Sequence, residues 1–236
     1  MKMQYDDNQM IQKNVDPRII YPCYRSLDEF IDVQQLKSLD VYIREKIKHH
    51  IKSREEDFFL NAHRLDATSP EKPGSREVWL TRTKPGVPYN YLDLNKPELW
   101  QPAAEAREFS LLMDFIGTLP FEATARAIII YDDAATTVPA HRDHLDPNLC
   151  HEFIWFRTNL EKPFYVLNHE TNEKLYVNSY SAWFDTVNQF HGSDAKEGLS
   201  FSIRVDGIFS HEFRKHIPIP ACNPASTPAL WACISR

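Results

Sequence analysis

Between residues 126 and 209 the chain breaks into a series of short runs rich in β-branched and aromatic residues, and this constrains its fold more than any other feature. The runs are AIIIYDD, HEFIWFRTN, FYVLNHE, EKLYVNS, SAWFDTV and LSFSIRVDGIF. Each is long enough to cross a sheet. Turn-forming residues separate several of them, as at Glu161-Lys162-Pro163, His169 to Asn172 and Gly192-Ser193. Many short strands in succession, after a helical region, predict an α+β and mainly β chain: a sandwich or jelly roll (a double-stranded β-helix) with N-terminal helices buttressing one sheet.

The helices precede residue 126. SLDE at Ser26–Glu29 reads as a capping box opening a helical region. From Ser38 onward, Leu39, Ile43, Ile47 and Ile51 recur every four residues beside Tyr42, a buried stripe; Lys48, His49, His50 and Lys52 suit the negative end of the helix dipole. A polar loop, 66–76, leads to a strand candidate, EVWLTRT at 77–83, and an aperiodic segment rich in proline and aromatic residues follows at 84–100. A second helix is predicted from about Ala103 to Leu119, with Pro102 near its first turn and Pro120 ending it. Its apolar side holds Phe109, Leu112, Phe115, Ile116 and Leu119. The tail from His216 carries four prolines and is expected to be irregular. The chain is thus read as one domain, 1–236: helices and loops over 1–125, a jelly-roll core over 126–210, and a proline-rich tail over 211–236.

Composition narrows the function classes. A formal charge of -6 argues against a nucleic-acid backbone as partner, because that needs clustered Lys and Arg. The opening MKMQYDDNQM lacks the apolar segment of a secretory signal, and no apolar run approaches the roughly 18 residues of a membrane span. Cys23, Cys150, Cys222 and Cys233 form no C-x-x-C, which suits a reducing cytoplasm and argues against a disulfide framework or a cysteine-rich zinc site. A cytoplasmic location and a small-molecule substrate, with neither nucleic acid nor membrane as partner, are the expectations; composition does not bear on oligomeric state.

VPAHRDHLD at 138–146 contains two overlapping His-x-Asp triplets, His141/Asp143 and His144/Asp146. On an extended segment residues two apart point the same way, so either register presents a nitrogen and an oxygen to one cation. His191 follows Asp143 after a gap that holds about four short strands, enough to circle a small barrel and return. Such a set gives a two-His, one-carboxylate face with open positions, suited to non-haem Fe(II). In LSFSIRVDGIF the side chains of Ser200, Ser202, Arg204 and Asp206 share one face, and Phe201, Ile203 and Val205 the other. If the apolar face meets the helices, the polar face looks into the barrel, where Arg204 offers a planar fork to a carboxylate near the metal.

HRDH at 141–144, FIWFRTN at 153–159, SAWFDTVNQFHG at 181–192 and RVDG at 204–207 together resemble the Fe(II)/2-oxoglutarate-dependent oxygenases. Within them, the likeness is to the aspartyl/asparaginyl hydroxylase-like group that includes bacterial proline cis-hydroxylases; it covers roughly 127–207. The resemblance implies His141, Asp143 and His191 as iron ligands, and Arg204 as anchor for the far carboxylate of 2-oxoglutarate with Ser202 beside it. It implies O₂ as the other cosubstrate and hydroxylation of an unactivated C–H bond, with succinate and CO₂ as by-products. Register 141/143 is favoured because it directly follows Pro139-Ala140 and matches HxDH, leaving Asp146-Pro147-Asn148 as a turn. Relatives with glycine or alanine at the position of Asp143 can take a halide there, so a carboxylate favours hydroxylation. Two departures stand out: Asp206 where relatives place Ser or Thr, and Phe153 where the hydroxylase group often carries His.

An amino acid or amino-acid-derived metabolite is the expected substrate, with Arg82, Arg142 or Arg157 for its carboxylate and Tyr89 and Tyr91 closing over it. Arg157 is also a candidate second cosubstrate contact, and Trp155, Trp183 and Phe201 are candidate apolar walls. Two other classes stay open on sequence: a zinc hydrolase using His141, His144 and His151, and a non-catalytic jelly-roll binding domain.

Overall fold

The computed structural model describes residues 24–53, 76–132, 135–144, 149, 151–168 and 171–217. The loop before residue 76, the Asp146-Pro147-Asn148 turn, all four cysteines and the tail beyond 217 lie outside the described residues. In chain order, strand β1 (Arg25–Ser26) precedes helices α1 (Val33–Ser38) and α2 (Asp40–Ser53). Strands β2 (Arg76–Trp79), β3 (Thr81–Thr83) and β4 (Trp100–Pro102) then lead to helix α3 (Ser110–Ile116). Eight strands follow: β5 (Phe121–Asp132), β6 (Val138–His141), β7 (Phe153–Phe156), β8 (Phe164–Leu167), β9 (Lys174–Tyr176), β10 (Ser181–Trp183), β11 (His191–Ser193) and β12 (Ser200–Phe209), with a short α4 (His211–Arg214) after them. No helix among the described residues is long and apolar enough to cross a membrane.

The strands form a six-stranded sheet, β1-β10-β7-β12-β5-β2, a four-stranded sheet, β6-β11-β8-β9, and a two-stranded ribbon, β3-β4. All pairings are antiparallel. From β5 to β12 the chain alternates between the two larger sheets, except where β8 and β9 adjoin in the smaller. The spine is the β5–β12 ladder, which runs from Ser200 opposite Asp132 to Phe209 opposite Phe121. Alternation sorts its side chains by face. Ala127, Ile129, Ile203 and Val205 join the main apolar core with Ile43 and Ile47 of α2 and Phe115 of α3, while Ser202 and Arg204 line a cavity. Arg44 of α2 bonds the Leu199 carbonyl and lies over the Phe201 ring, seating the helix on the outer face of the six-stranded sheet. The apolar face of β12 thus meets the helices, the condition under which its polar face looks inward.

Three local readings are corrected. No helix opens at Ser26: Asp28 instead accepts from the Tyr180 and Ser181 amides, locking β1 beside β10, and α1 begins later under an Asp32 cap that accepts from the Gln35 amide. The helix predicted over 103–119 is a 3₁₀ turn, Ala104–Arg107, followed by α3. The two are broken at Phe109, whose backbone (φ -106°, ψ 36°) leaves the helical region while its ring is fully buried. The strand predicted over 77–83 divides at Leu80, β2 pairing with β5 and β3 with β4.

Candidate metal centre and its cavity

Three local structures deliver the candidate ligands to one point. β11 pairs with β6 so that His191 lies directly opposite His141, and their rings come to 4.5 Å between centroids. Asp143, just beyond β6, is pinned where its amide donates to the Thr186 carbonyl at 2.8 Å. The turn before β11 is built by Asp185, whose carboxylate accepts from the Val187 and Asn188 amides and the Asn188 side chain. The sequence FDTVNQFH therefore reads physically as a buried carboxylate folding the turn that presents His191.

Asp143 Oδ1 stands 3.3 Å from His191 Nε2 and 3.6 Å from His141 Nε2, and the three donor atoms all lie within 4.8 Å of one another. Two ligands about 2.1 Å from one ion at right angles stand about 3 Å apart, so these separations fit a shared cation after small side-chain adjustments. The outer contacts agree. His141 Nδ1 lies 2.9 Å from the Pro139 carbonyl and His191 Nδ1 3.1 Å from the Gln189 carbonyl. A carbonyl only accepts, so each Nδ1 carries a proton and Nε2 is the nitrogen that would give its lone pair to a cation shared with Asp143; the carbonyl is the second contact that metal-binding histidines need. Among the described residues this is the one group of three or more His, Cys, Asp or Glu placed to share an ion.

The other side of Asp143 is saturated. Oδ2 accepts from Arg204 Nη1 at 2.7 Å and Tyr91 hydroxyl at 2.9 Å. Burial alone pushes the Asp143 carboxyl up, but His191, Arg204 and His141 outweigh it and hold the group well below the usual carboxylate range. Burial likewise opposes the charge on Arg204, and Asp206 and Asp143 overcome it. Asp206, fully buried, holds two guanidiniums: Arg204 Nε donates to Oδ1 and Arg126 Nε to Oδ2, both at 2.9 Å. Arg204 Nη2 also lies 2.9 Å from Asp206 Oδ1 but off the line of a hydrogen bond. The departure at Asp206 thus has a structural meaning, since it braces the arginine two residues before it.

The cavity beside this group has a volume of about 420 Å³. Ser202 and Arg204 line it, as do Trp155 and Phe201, Arg142 and Arg157, and Tyr89 and Tyr91 from the 84–100 segment. Trp183 does not line it; its indole donates to the His151 carbonyl within the core. Arg82 is also elsewhere, paired with Glu105. Arg157 lines the cavity but donates to the carbonyls of Ser179, Lys162 and Val177, so its fork is already engaged. His144 and His151 do not join His141: they flank Tyr91, with centroids at 5.7 and 4.7 Å from its ring. The three-histidine zinc arrangement is therefore not assembled.

Sequence reasoning passed over Glu77 and Arg126, both lining the cavity, and over the Tyr91–Asp143 bond. The signal for Arg126 was the alternation Arg126, Ile128, Ile130, Asp132, which puts it on the inward face of β5 once the strand is started early enough. Glu77 carries no such signal, because an acidic residue near a strand end reads as surface.

No family model and no curated protein matches the sequence. Among solved structures it is similar to a prolyl-4-hydroxylase of Pseudomonas putida, 11% identical with a TM-score of 0.44, covering 84% of this chain and 97% of that one. It is similar to a prolyl hydroxylase of Trichoplax adhaerens in complex with a hypoxia inducible factor oxygen degradation domain peptide fragment, 9% identical with a TM-score of 0.46, covering 91% of this chain and 96% of that one. It is also similar to a viral collagen prolyl hydroxylase of Paramecium bursaria Chlorella virus-1 in its 2-oxoglutarate complex, 12% identical with a TM-score of 0.36, covering 78% of this chain and 94% of that one.

Proposed function

We propose that this chain is an Fe(II)- and 2-oxoglutarate-dependent dioxygenase that hydroxylates an unactivated C–H bond of a small molecule, an amino acid or amino-acid-derived metabolite. The observation that carries the reading is the convergence of His141 Nε2, Asp143 Oδ1 and His191 Nε2 at the wall of a cavity. The alternation of the chain between the two larger sheets supports reading them as a double-stranded β-helix with this centre at its open end.

In this reading the three side chains hold Fe(II) on one face, and Arg204 with Ser202 receives a carboxylate of 2-oxoglutarate. Both line the cavity from the same face of β12. When bound, Fe(II), 2-oxoglutarate and O₂ supply the oxidising chemistry, with succinate and CO₂ formed as an oxygen atom enters the substrate C–H bond. The protein's part is positional and electrostatic. The Pro139 and Gln189 carbonyls fix the imidazole tautomers; Arg204 and Tyr91 keep Asp143 ionised and aimed. Trp155 and Phe164, stacked at 4.5 Å, and Phe184 give the cavity walls that exclude water around the target carbon.

Anaerobic protein is expected to bind Fe(II) and 2-oxoglutarate together and to develop a weak visible charge-transfer band. The variants His191→Ala and Asp143→Ala should each lose it. A band that survives both substitutions sinks the assignment.

A further inference from the structure

Two carboxylates of the cavity go unused in the proposed reaction, Asp132, which pairs with Lys162, and Glu77. Glu77 sits on β2 opposite Ile130, with 3% of its surface exposed, and accepts one hydrogen bond, from Trp79 Nε1 at 2.9 Å. Among the described residues no cation stands within ion-pair distance of it. The nearby Arg126 sends its Nε to Asp206 at 2.9 Å and its Nη1 to the Tyr89 hydroxyl at 3.3 Å, and it acts on Glu77 through its charge without a hydrogen bond or ion pair to it. In this cluster three carboxylates (Glu77, Asp143, Asp206) face two guanidiniums (Arg126, Arg204). A divalent ion accompanied by the 2-oxoglutarate dianion adds no net charge, so the excess at Glu77 persists in the loaded site.

Aromatic rings line the cavity beside this charge. Trp79 and Tyr89 both line the cavity, with ring centroids 5.3 Å apart and planes at 76°. A buried carboxylate beside electron-rich rings is an environment for an organic cation, which it pairs while the rings replace part of its hydration shell. We infer that Glu77, with Trp79 and Tyr89, forms a subsite for a protonated amine, and that the substrate of the proposed dioxygenase is a small molecule carrying an ammonium group. The inference rests on the dioxygenase reading for the identity of this molecule as substrate, and not for the subsite itself. Burial pushes the Glu77 carboxyl up to about 6, with Arg126 drawing it partly back, so the group is ionised at neutral pH.

A matched pair of probes tests this at pH 7.5: cyclohexylammonium and its neutral near-isostere cyclohexanol, titrated by ligand-observed NMR against the protein with and without anaerobic Fe(II) and 2-oxoglutarate. The wild type is expected to bind the ammonium about tenfold more tightly or better, and Glu77→Gln, which keeps the acceptor for Trp79, to bring the two within about twofold. Absence of any preference in the wild type overturns the subsite, and so does a preference that survives in Glu77→Gln. If that variant does not fold, the wild-type comparison decides alone. The charge-transfer band reads the dioxygenase assignment independently: a preference without a band leaves the subsite standing on a different protein chemistry, and a band without a preference removes only the subsite.

Discussion

At 4% exposure, with its ring edge-on to Tyr91 and neither nitrogen hydrogen-bonded, His151 is held neutral, and burial with the Arg204 charge lowers it to about 4. The unfolded chain takes up a proton near pH 6.5 and the folded chain only near 4, so the unfolded state binds more protons between those values. Stability contributed by neutral His151 is therefore complete above about 6.5 and is lost as pH falls toward 4. Glu77 works with the opposite sign. Raised from 4.5 to about 6, it favours the folded state in acid and loses that contribution as pH rises through 6. Replacing His151 with Phe isolates one term. Urea denaturation at pH 7 and 4.5 should show the wild type losing about 2–3 kcal/mol more than His151→Phe over that interval. An equal loss in both would mean the imidazole is not held neutral by its surroundings. Neither group was legible from sequence as a buried charge problem. His151 looked like a possible ligand and Glu77 like a strand-end acid, because burial is a property of the assembled sheets.

The element that most tightly links fold to site is the pairing of β11 with β6, and Gly192 makes it possible. A Cβ at Gly192 would sit 2.5 Å from the Val138 carbonyl oxygen and 2.7 Å from the Tyr165 hydroxyl oxygen. The first contact is backbone on β6, so it yields only if the strands separate, and separation draws His141 away from His191. Gly192→Ala is expected to cost about 1–3 kcal/mol in denaturant unfolding and to weaken metal binding in the same protein, measured by competition with a chromophoric chelator. Unchanged metal affinity in a destabilised variant would detach the pairing from the site. Element by element, the β region was the readable part of the chain. The runs FIWF, FYVL and SFSIRVDGIF fall on β7, β8 and β12, since alternation and apolar content are local signals. The helical half misled at Ser26 and Phe109 because long-range partners decide there: the Ser181 amide claims Asp28, and the Tyr42 hydroxyl bonds the Glu108 carbonyl beside the break.

Across the whole molecule, one sheet separates two jobs. The outer face of β5 and β12 buries Ile129, Ile203 and Val205 with Ile43 and Ile47 in the main core, and the inner face carries Arg204 and the cavity. The convergence of His141, Asp143 and His191 was legible because a His-x-Asp pair and a distant His on a returning strand can be brought to one point. The ion-pair network around Asp206 was not, since it depends on β12 lying against β5 in one register. This division predicts that stability and metal binding can be altered separately. Fe(II) at about a hundred times its dissociation constant should stabilise the folded state by about 2.7 kcal/mol. For a chain of this size that raises the anaerobic melting temperature by about 5–10 °C, and a chelator should reverse it. His191→Ala should abolish the rise. Ile43→Ala, on the helix side, should lower the melting temperature of the metal-free protein, through a loss of about 2–5 kcal/mol, yet leave the metal-induced rise intact. Were Ile43→Ala to erase the rise as His191→Ala does, the two faces would not be independent and the sheet would be transmitting helix packing to the metal centre.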